Sequence, residues 1–298
     1  MKTTTLLILI FTISINTSFS QENIENDADY PALENRYFGE KPPGLTPKPF
    51  APGIVSTEHY EFSGIFSPDM KEFYFISSGG KYEKATLVVF KHKNGKWIES
   101  VVSTWVGQPT FSAHGNTMYF GDRYKERVKN GWSELKDLKE PLKGNSDMFM
   151  MRLSASDNGT YYFDTYEKNK PDFPIRYSRL IDGKYETPKA LSKAINTGTQ
   201  LNHPFIAPDE SYLMWDAKRE DGYGNSDIYI SFKQQDGSLG EAINLGDKIN
   251  TDAWEASPSV TPDGKYLFFN RNMGTDNYEN VDIFWVDAQV IENLRNKK

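Results

Sequence analysis

The stretch VTPDGKYLFFN (260–270) is one of five near-copies of a single short plan, and that recurrence constrains the fold more than any other feature. The others are FSPDMKEFYF (66–75), FSAHGNTMYF (111–120), LSASDNGTYYF (153–163) and IAPDESYLMW (206–215). Each has a hydrophobic residue, a small or hydroxylated one, a Pro-Asp-Gly-like turn and an aromatic-rich strand. The starts at 66, 111, 153, 206 and 260 are separated by 45, 42, 53 and 54 residues. A period of that length decides the architecture before any local feature is weighed.

A second signal follows four of the five copies: NGKWIESVVS (94–103), NGWSELKDL (130–138), DGKYETPKAL (182–191) and DGSLGEAINL (236–245). Asn-Gly and Asp-Gly suit tight hairpins because those turns need positive φ. Each unit therefore reads as strand A, Pro-Asp turn, strand B, loop, strand C, Gly turn, strand D. Helical spacing is confined to the tail IENLRNKK. Four antiparallel strands recurring at this period predict an all-β fold, a β-propeller. The fifth unit ends after VDIFWVD (281–287) without a strand D, while FAPGIVS (50–56) precedes the first strand A. The expectation is five four-stranded blades, with this N-terminal strand completing the last.

MKTTTLLILIFTISINTSFS (1–20) places Lys2 before an apolar run and small residues before Gln21, the pattern of a secretory signal peptide. No other segment has the ~20 apolar residues needed to span a bilayer. Residues 21–49, with four prolines in KPPGLTPKPF, read as an extended leader with little core of its own. The propeller then occupies 50–298. The chain has no cysteine, so its stability rests on a core rather than on disulfides. Its formal charge of −7 becomes −8 without Lys2, and no basic stretch is interleaved with aromatics. Nucleic acid is thus not an expected partner. A monomeric protein of the periplasm or cell exterior is expected.

SPDMKEFYF, APDESYLMW and TPDGKYLFF, with SDIYIS (226–231) and VDIFWV (281–286), resemble the Pro-Asp, WD-repeat-like β-propeller repeats of TolB type. The resemblance covers roughly residues 50–287; Ala113-His114 and Ser156-Asp157 have lost the proline. The motif is structural: proline presets the turn and the aspartate bonds the backbone two residues on. Such propellers include binding modules, scaffolds and enzymes, so the fold alone does not choose among them.

Propeller connectivity puts the A–B and C–D turns on one face and the longer B–C and D–A loops on the other. Loops elaborated on one end of a rigid scaffold carry function. Aligning strand A gives EFSG (61–64), VGQP (106–109), NHP (202–204) and EASP (255–258). Glu61 and Glu255 fall in equivalent positions, His203 and His59 nearby, with Trp254 and Trp105 as aromatic platforms. Two imidazoles and carboxylates suit a divalent metal, held through His203 and His59, or acid–base work on a sugar. Polar side chains also fill wet channels bonded only to backbone and water. Arg219 and Arg271 end strand B and are placed to clamp a carboxylate, or to pair with acids such as Asp221 or Glu279. Asp227 and Asp282 open strand C and are expected to cap backbone amides.

No nucleophile elbow, catalytic cysteine or Gly-rich phosphate loop is present. The expectation is an exported, non-catalytic binding or scaffold propeller that takes an envelope protein or a glycan. The alternative is a secreted carbohydrate-active enzyme, a lyase or glycoside hydrolase, with its site at the channel mouth. Oligogalacturonate lyase, a similar repeat protein with a His-bound metal, motivates that second reading.

Overall fold

Turn chemistry sets the frame. Asp263 Oδ1 accepts the Thr261 hydroxyl at 2.7 Å and the Lys265 amide at 3.2 Å. Asp69 does the same for Ser67 and Lys71, and Asp209 accepts the Ser211 amide. The residue after each aspartate turns left-handed, with φ of 56° at Met70, 60° at Glu210 and 71° at Gly264. These turns reverse the chain within five residues and start the next strand in register.

The computed structural model describes residues 33–144, 147–169 and 173–296. The expected signal peptide and residues 21–32 of the leader lie outside them. Among the described residues the strands fall into five antiparallel groups, sheets one to five, of which the first and fifth are joined by a parallel pairing of Tyr60 with Val281; Leu180–Ile181 and Lys184–Tyr185 form a separate hairpin. Sheet one contains Tyr60–Phe66, Glu72–Gly79, Tyr82–Lys93 and Lys96–Thr104. Sheet two contains Thr110–Phe111, Thr117–Phe120, Arg123–Val128 and Lys136–Asp137, and sheet three Met148–Ala155, Tyr161–Glu167, Arg176–Ser178 and Lys189–Ala190. Sheet four contains Thr199–Ile206, Tyr212–Lys218, Asp227–Phe232 and Ile243–Asn244. Sheet five has Glu255–Val260, Tyr266–Asn272 and Val281–Asp287. Its fourth strand is Lys48–Pro49, which pairs antiparallel with Trp285 and Phe284.

Each sheet packs on the next through its second and third strands, whose aromatic and branched residues face both ways. Tyr74, Leu87, Met118 and Phe120 join sheets one and two; Tyr119, Leu153 and Phe163 join two and three. Tyr162, Leu213 and Trp215 join three and four, while Met214, Ile230, Phe269 and Val286 join four and five. Between sheets five and one, Phe50 touches Phe66, Phe73, Phe268 and Trp285 with ring centroids 4.8–6.1 Å apart. Fully burying one such side chain contributes roughly 1.5–3 kcal/mol. A short helix, α1 (Gln289–Arg295), adds Ile291 to the core between sheets four and five. Among the described residues no helix is long and apolar enough to cross a membrane.

Two expectations need correction. The loaned strand is Lys48–Pro49 rather than 50–56, with the Phe50 amide bonding the Ile283 carbonyl at 2.8 Å. Beyond Ala51 the chain curls, because Pro52 has no amide for a ladder and Gly53 takes φ 77°. The leader, in turn, does contribute core. Tyr37 is 4% exposed, donates to the Asp263 carboxylate at 2.6 Å and lies against Phe66, Tyr266 and Trp285. Arg36 is buried against the same Asp263, and Phe38 stacks on Trp97 at 4.5 Å. Residues 36–38 therefore pin sheet five to sheet one at the turn face.

Candidate functional site

An equivalent residue recurs in each sheet, within the first strand as Ser63, Arg152, His203 and Ser257 and just before it as Gln108. In sheets one, three, four and five the pairing register slips there, the mark of a β-bulge. Ser63, His203 and Ser257 take φ of 57°, 52° and 56°. Proline follows at 109, 204 and 258, which withholds an amide where the ladder is broken.

All five side chains are buried and several meet. The Arg152 guanidinium donates to the Ser257 hydroxyl and, at 3.3 Å, to the Pro258 carbonyl. Ser257 and Ser63 hydroxyls lie 3.1 Å apart. A residue of sheet three thus bonds sheet five, past sheet four.

The second strands supply the acceptors. Asp164 takes the Arg152 amide at 2.8 Å and the His203 amide of the next sheet at 2.8 Å. Asp216 takes the Ser257 amide at 2.9 Å, and Asn270 takes the Ser63 amide at 3.0 Å. The acceptor in one sheet therefore satisfies the bulge of the following sheet, from three to four, four to five and five to one. Where sheet two faces sheet three the corresponding residue is Gly121, and a Cβ there would stand 2.1 Å from the Met150 carbonyl.

Electrostatics follow from burial. Burial lowers the Arg152 pKa to about 10, against the pull of Asp164 and Asp216. It also raises Asp164, opposed by His203 and by the amides of His203 and Arg152. His203 Nδ1 lies 2.7 Å from Asp216 Oδ1, which fixes the ring orientation. This Arg–Asp–Asp–His core can hold polar groups in place. Its His203 side chain is only 9% exposed, so access from solvent is narrow.

The residues singled out in the sequence fall in three settings. Glu61 and Glu255 are equivalent, as aligned, but each carboxylate folds back on its own loop. Glu61 accepts the Thr57 amide at 2.9 Å and hydroxyl at 2.8 Å; Glu255 accepts the same groups of Thr251 at 2.9 and 2.6 Å. Burial raises both acids and these donors lower them. Glu255 also holds Arg271 Nε at 2.7 Å, so Arg271 pairs with neither Asp221 nor Glu279. Arg219 donates to the Ile195 carbonyl and lies over Tyr229, as Arg271 does to Ile249 and over Phe284. His59 is exposed and covers Gly79 and Gly80, apart from the buried His203. Among the described residues no three His, Cys, Asp or Glu side chains form a metal-binding group.

Trp254 and Trp105 stand on the loop-bearing end with other large apolar side chains. Trp105 is 53% exposed and Tyr223 51%; Phe149, Tyr166, Met273 and Tyr278 are exposed there as well. Tyr278 meets Trp254, Trp254 stacks on Phe62 at 5.8 Å, and Phe62 meets the His203 ring at 5.6 Å. An aromatic path thus runs from this face to the buried centre. A cavity of about 310 Å³ opens beside Phe149, lined by Pro141, Leu142, Met150 and the Glu167–Arg176 ion pair.

No family model and no curated protein matches the chain. Solved structures do. The catalytic domain of the Coprinopsis cinerea GH62 α-L-arabinofuranosidase aligns at TM-score 0.51 and 10% identity, over 82% of this chain and 97% of that one. TolB from Acinetobacter baumannii aligns at TM-score 0.45 and 14% identity, over 78% of this chain and 56% of that one. Oligogalacturonate lyase in complex with manganese aligns at TM-score 0.40 and 14% identity, over 78% and 66%. At such identities the likeness is one of fold, and the fold is of β-propeller type.

Proposed function

We propose that the chain is an exported binding protein of the periplasm or cell exterior, a closed five-bladed propeller of Pro-Asp repeats whose loop face takes a protein or glycan ligand without chemistry of its own. Ring closure is supported by the Lys48–Pro49 strand on sheet five and by Asn270 reaching Ser63. The observation that carries the binding reading is the gathering of exposed Trp105, Phe149, Tyr166, Tyr223 and Tyr278 on one end. Aromatic anchors of this kind dominate recognition energy. Meanwhile Glu61 and Glu255, the carboxylates best placed for acid–base work, are occupied by their threonines.

One observation favours the enzyme reading: the oriented His203–Asp216 pair beneath the aromatic path. A single experiment separates the two. The protein is incubated with acidic and neutral polysaccharides and with envelope extracts, with products read by mass spectrometry and complexes by co-purification. Binding without new oligosaccharides supports the proposal. Products that vanish in His203→Ala overturn it.

A further inference from the structure

Asp227 and Asp282 occupy the same position in sheets four and five, yet their surroundings differ completely. Asp227 accepts the Tyr223 amide at 2.7 Å, the Gly224 amide at 3.1 Å and the Asn244 side-chain amide at 2.8 Å. Asp282 is 9% exposed and its Oδ1 is buried without a partner. The reasons are local. The loop before it is closed on itself, with the Tyr278 amide given to the Thr275 carbonyl and Glu279 bound to Thr275. The neighbouring outer strand is the loaned one, where Pro49 offers no amide and no side-chain donor.

Asp282 lies at an open cleft of about 520 Å³ on the loop-bearing end, lined by Pro49, Pro52, Gly53, Ser56, Thr57, Glu58 and His59. No lysine or arginine lines it. Arg271, opposite Asp282 in the ladder, is committed to Glu255 and the Ile249 carbonyl. Glu61, whose charge also bears on Asp282, is held by Thr57. The cleft therefore combines a buried acid lacking a donor, one further carboxylate, Glu58, and a proline-lined wall.

We propose that this cleft receives a cationic side chain, arginine or lysine, from a partner protein. The charged head supplies the donors that Asp282 lacks, and the aliphatic stem lies along Pro49 and Pro52. The inference deepens the binding reading by naming the anchor, and it rests on that reading only for the direction from which the partner approaches.

The test titrates the full chain with Nα-acetylarginine N-methylamide and with its neutral isostere Nα-acetylcitrulline N-methylamide, following the Asp282 carboxyl carbon by NMR. The expected result is saturable binding of the arginine compound, at least tenfold tighter than citrulline, with a lowered Asp282 titration midpoint. Asp282→Asn should erase that preference while melting cooperatively. Equal response to both compounds, or binding unchanged in Asp282→Asn, overturns the proposal. Should the variant not fold, the wild-type comparison of the two compounds decides alone. Failure here leaves the aromatic-face experiments standing, so the two readings fail separately.

Discussion

The guanidinium of Arg152 reaches from sheet three to the hydroxyl of Ser257 in sheet five. The contact ties non-adjacent sheets and places one buried cation between Asp164 and Asp216. Replacing Arg152 with methionine removes that cation and leaves the Ser257 hydroxyl and the Pro258 carbonyl without its donors. Breaking such a network by removing one partner costs about 3–5 kcal/mol. Urea unfolding of Arg152→Met should show a loss of that order, and a change below about 1 kcal/mol would show that the network contributes little.

The two strand-opening aspartates should behave oppositely. Asp227→Asn weakens bonds to a charged acceptor, which are worth about 1.5–3 kcal/mol each, and should lower stability. Asp282 has no such bonds, and burial followed by the Glu61 charge raises its pKa to about 6. A carboxyl raised on folding binds more protons in the native state than in the unfolded chain. Its effect is thus to reduce stability as pH climbs from about 4 through about 6, with the full penalty above. Asp282→Asn should flatten that decline and raise stability at pH 8 by about 1–2 kcal/mol. Melting temperatures from pH 4 to pH 8 check both variants.

Tyr37 joins the leader to the turn of sheet five through Asp263 and through three aromatic neighbours. Tyr37→Ala leaves a cavity among Phe66, Tyr266 and Trp285 and should cost about 3–5 kcal/mol, the range for truncating a buried aromatic. Tyr37→Phe, which removes only the hydroxyl donated to the Asp263 carboxylate, should cost about 1.5–3 kcal/mol. Calorimetry that finds both neutral would make residues 36–38 a mere appendage.

Ligand binding should depend on one end of the molecule. Trp105→Ala and Tyr223→Ala should each weaken affinity by at least tenfold without lowering the melting temperature, since both side chains are half exposed. Leu180→Ser and Ile181→Ser, on the turn face, should leave affinity unchanged. Equal sensitivity at both ends, read by titration with the captured ligand, would refute the assignment of the loop face.

Much of the framework was legible because turn chemistry is local. Pro-Asp and Asn-Gly mark reversals whose bonds span two or three residues, and Asp69, Asp209 and Asp263 make them as expected. Asp164, Asp216 and Asn270 each follow an aromatic residue directly, in YYFD, LMWD and LFFN. Their purpose was hidden because the amides they accept belong to another repeat, 39 and 41 residues on for Asp164 and Asp216 and 207 residues back for Asn270. Glu61 and Glu255 were aligned correctly, yet the threonine four positions earlier, at 57 and 251, decides what they do. The same spacing recurs at Thr275 and Glu279, where both threonine donors again reach the carboxylate. Asp282 could not be told from Asp227 by sequence, since what differs is which chain segment lies alongside.

The pairing of Pro49 with Phe284 joins residues 235 positions apart along the chain. A ribosome makes residues 48–49 well before the strand they lie against, Val281–Asp287. Until that strand emerges, the early segment lacks the strand it pairs with. Sheets one to four can assemble in turn from neighbours just made, whereas sheet five waits for segments made 235 residues apart. A product truncated before residue 281 therefore leaves the segment at 48–49 without its partner strand.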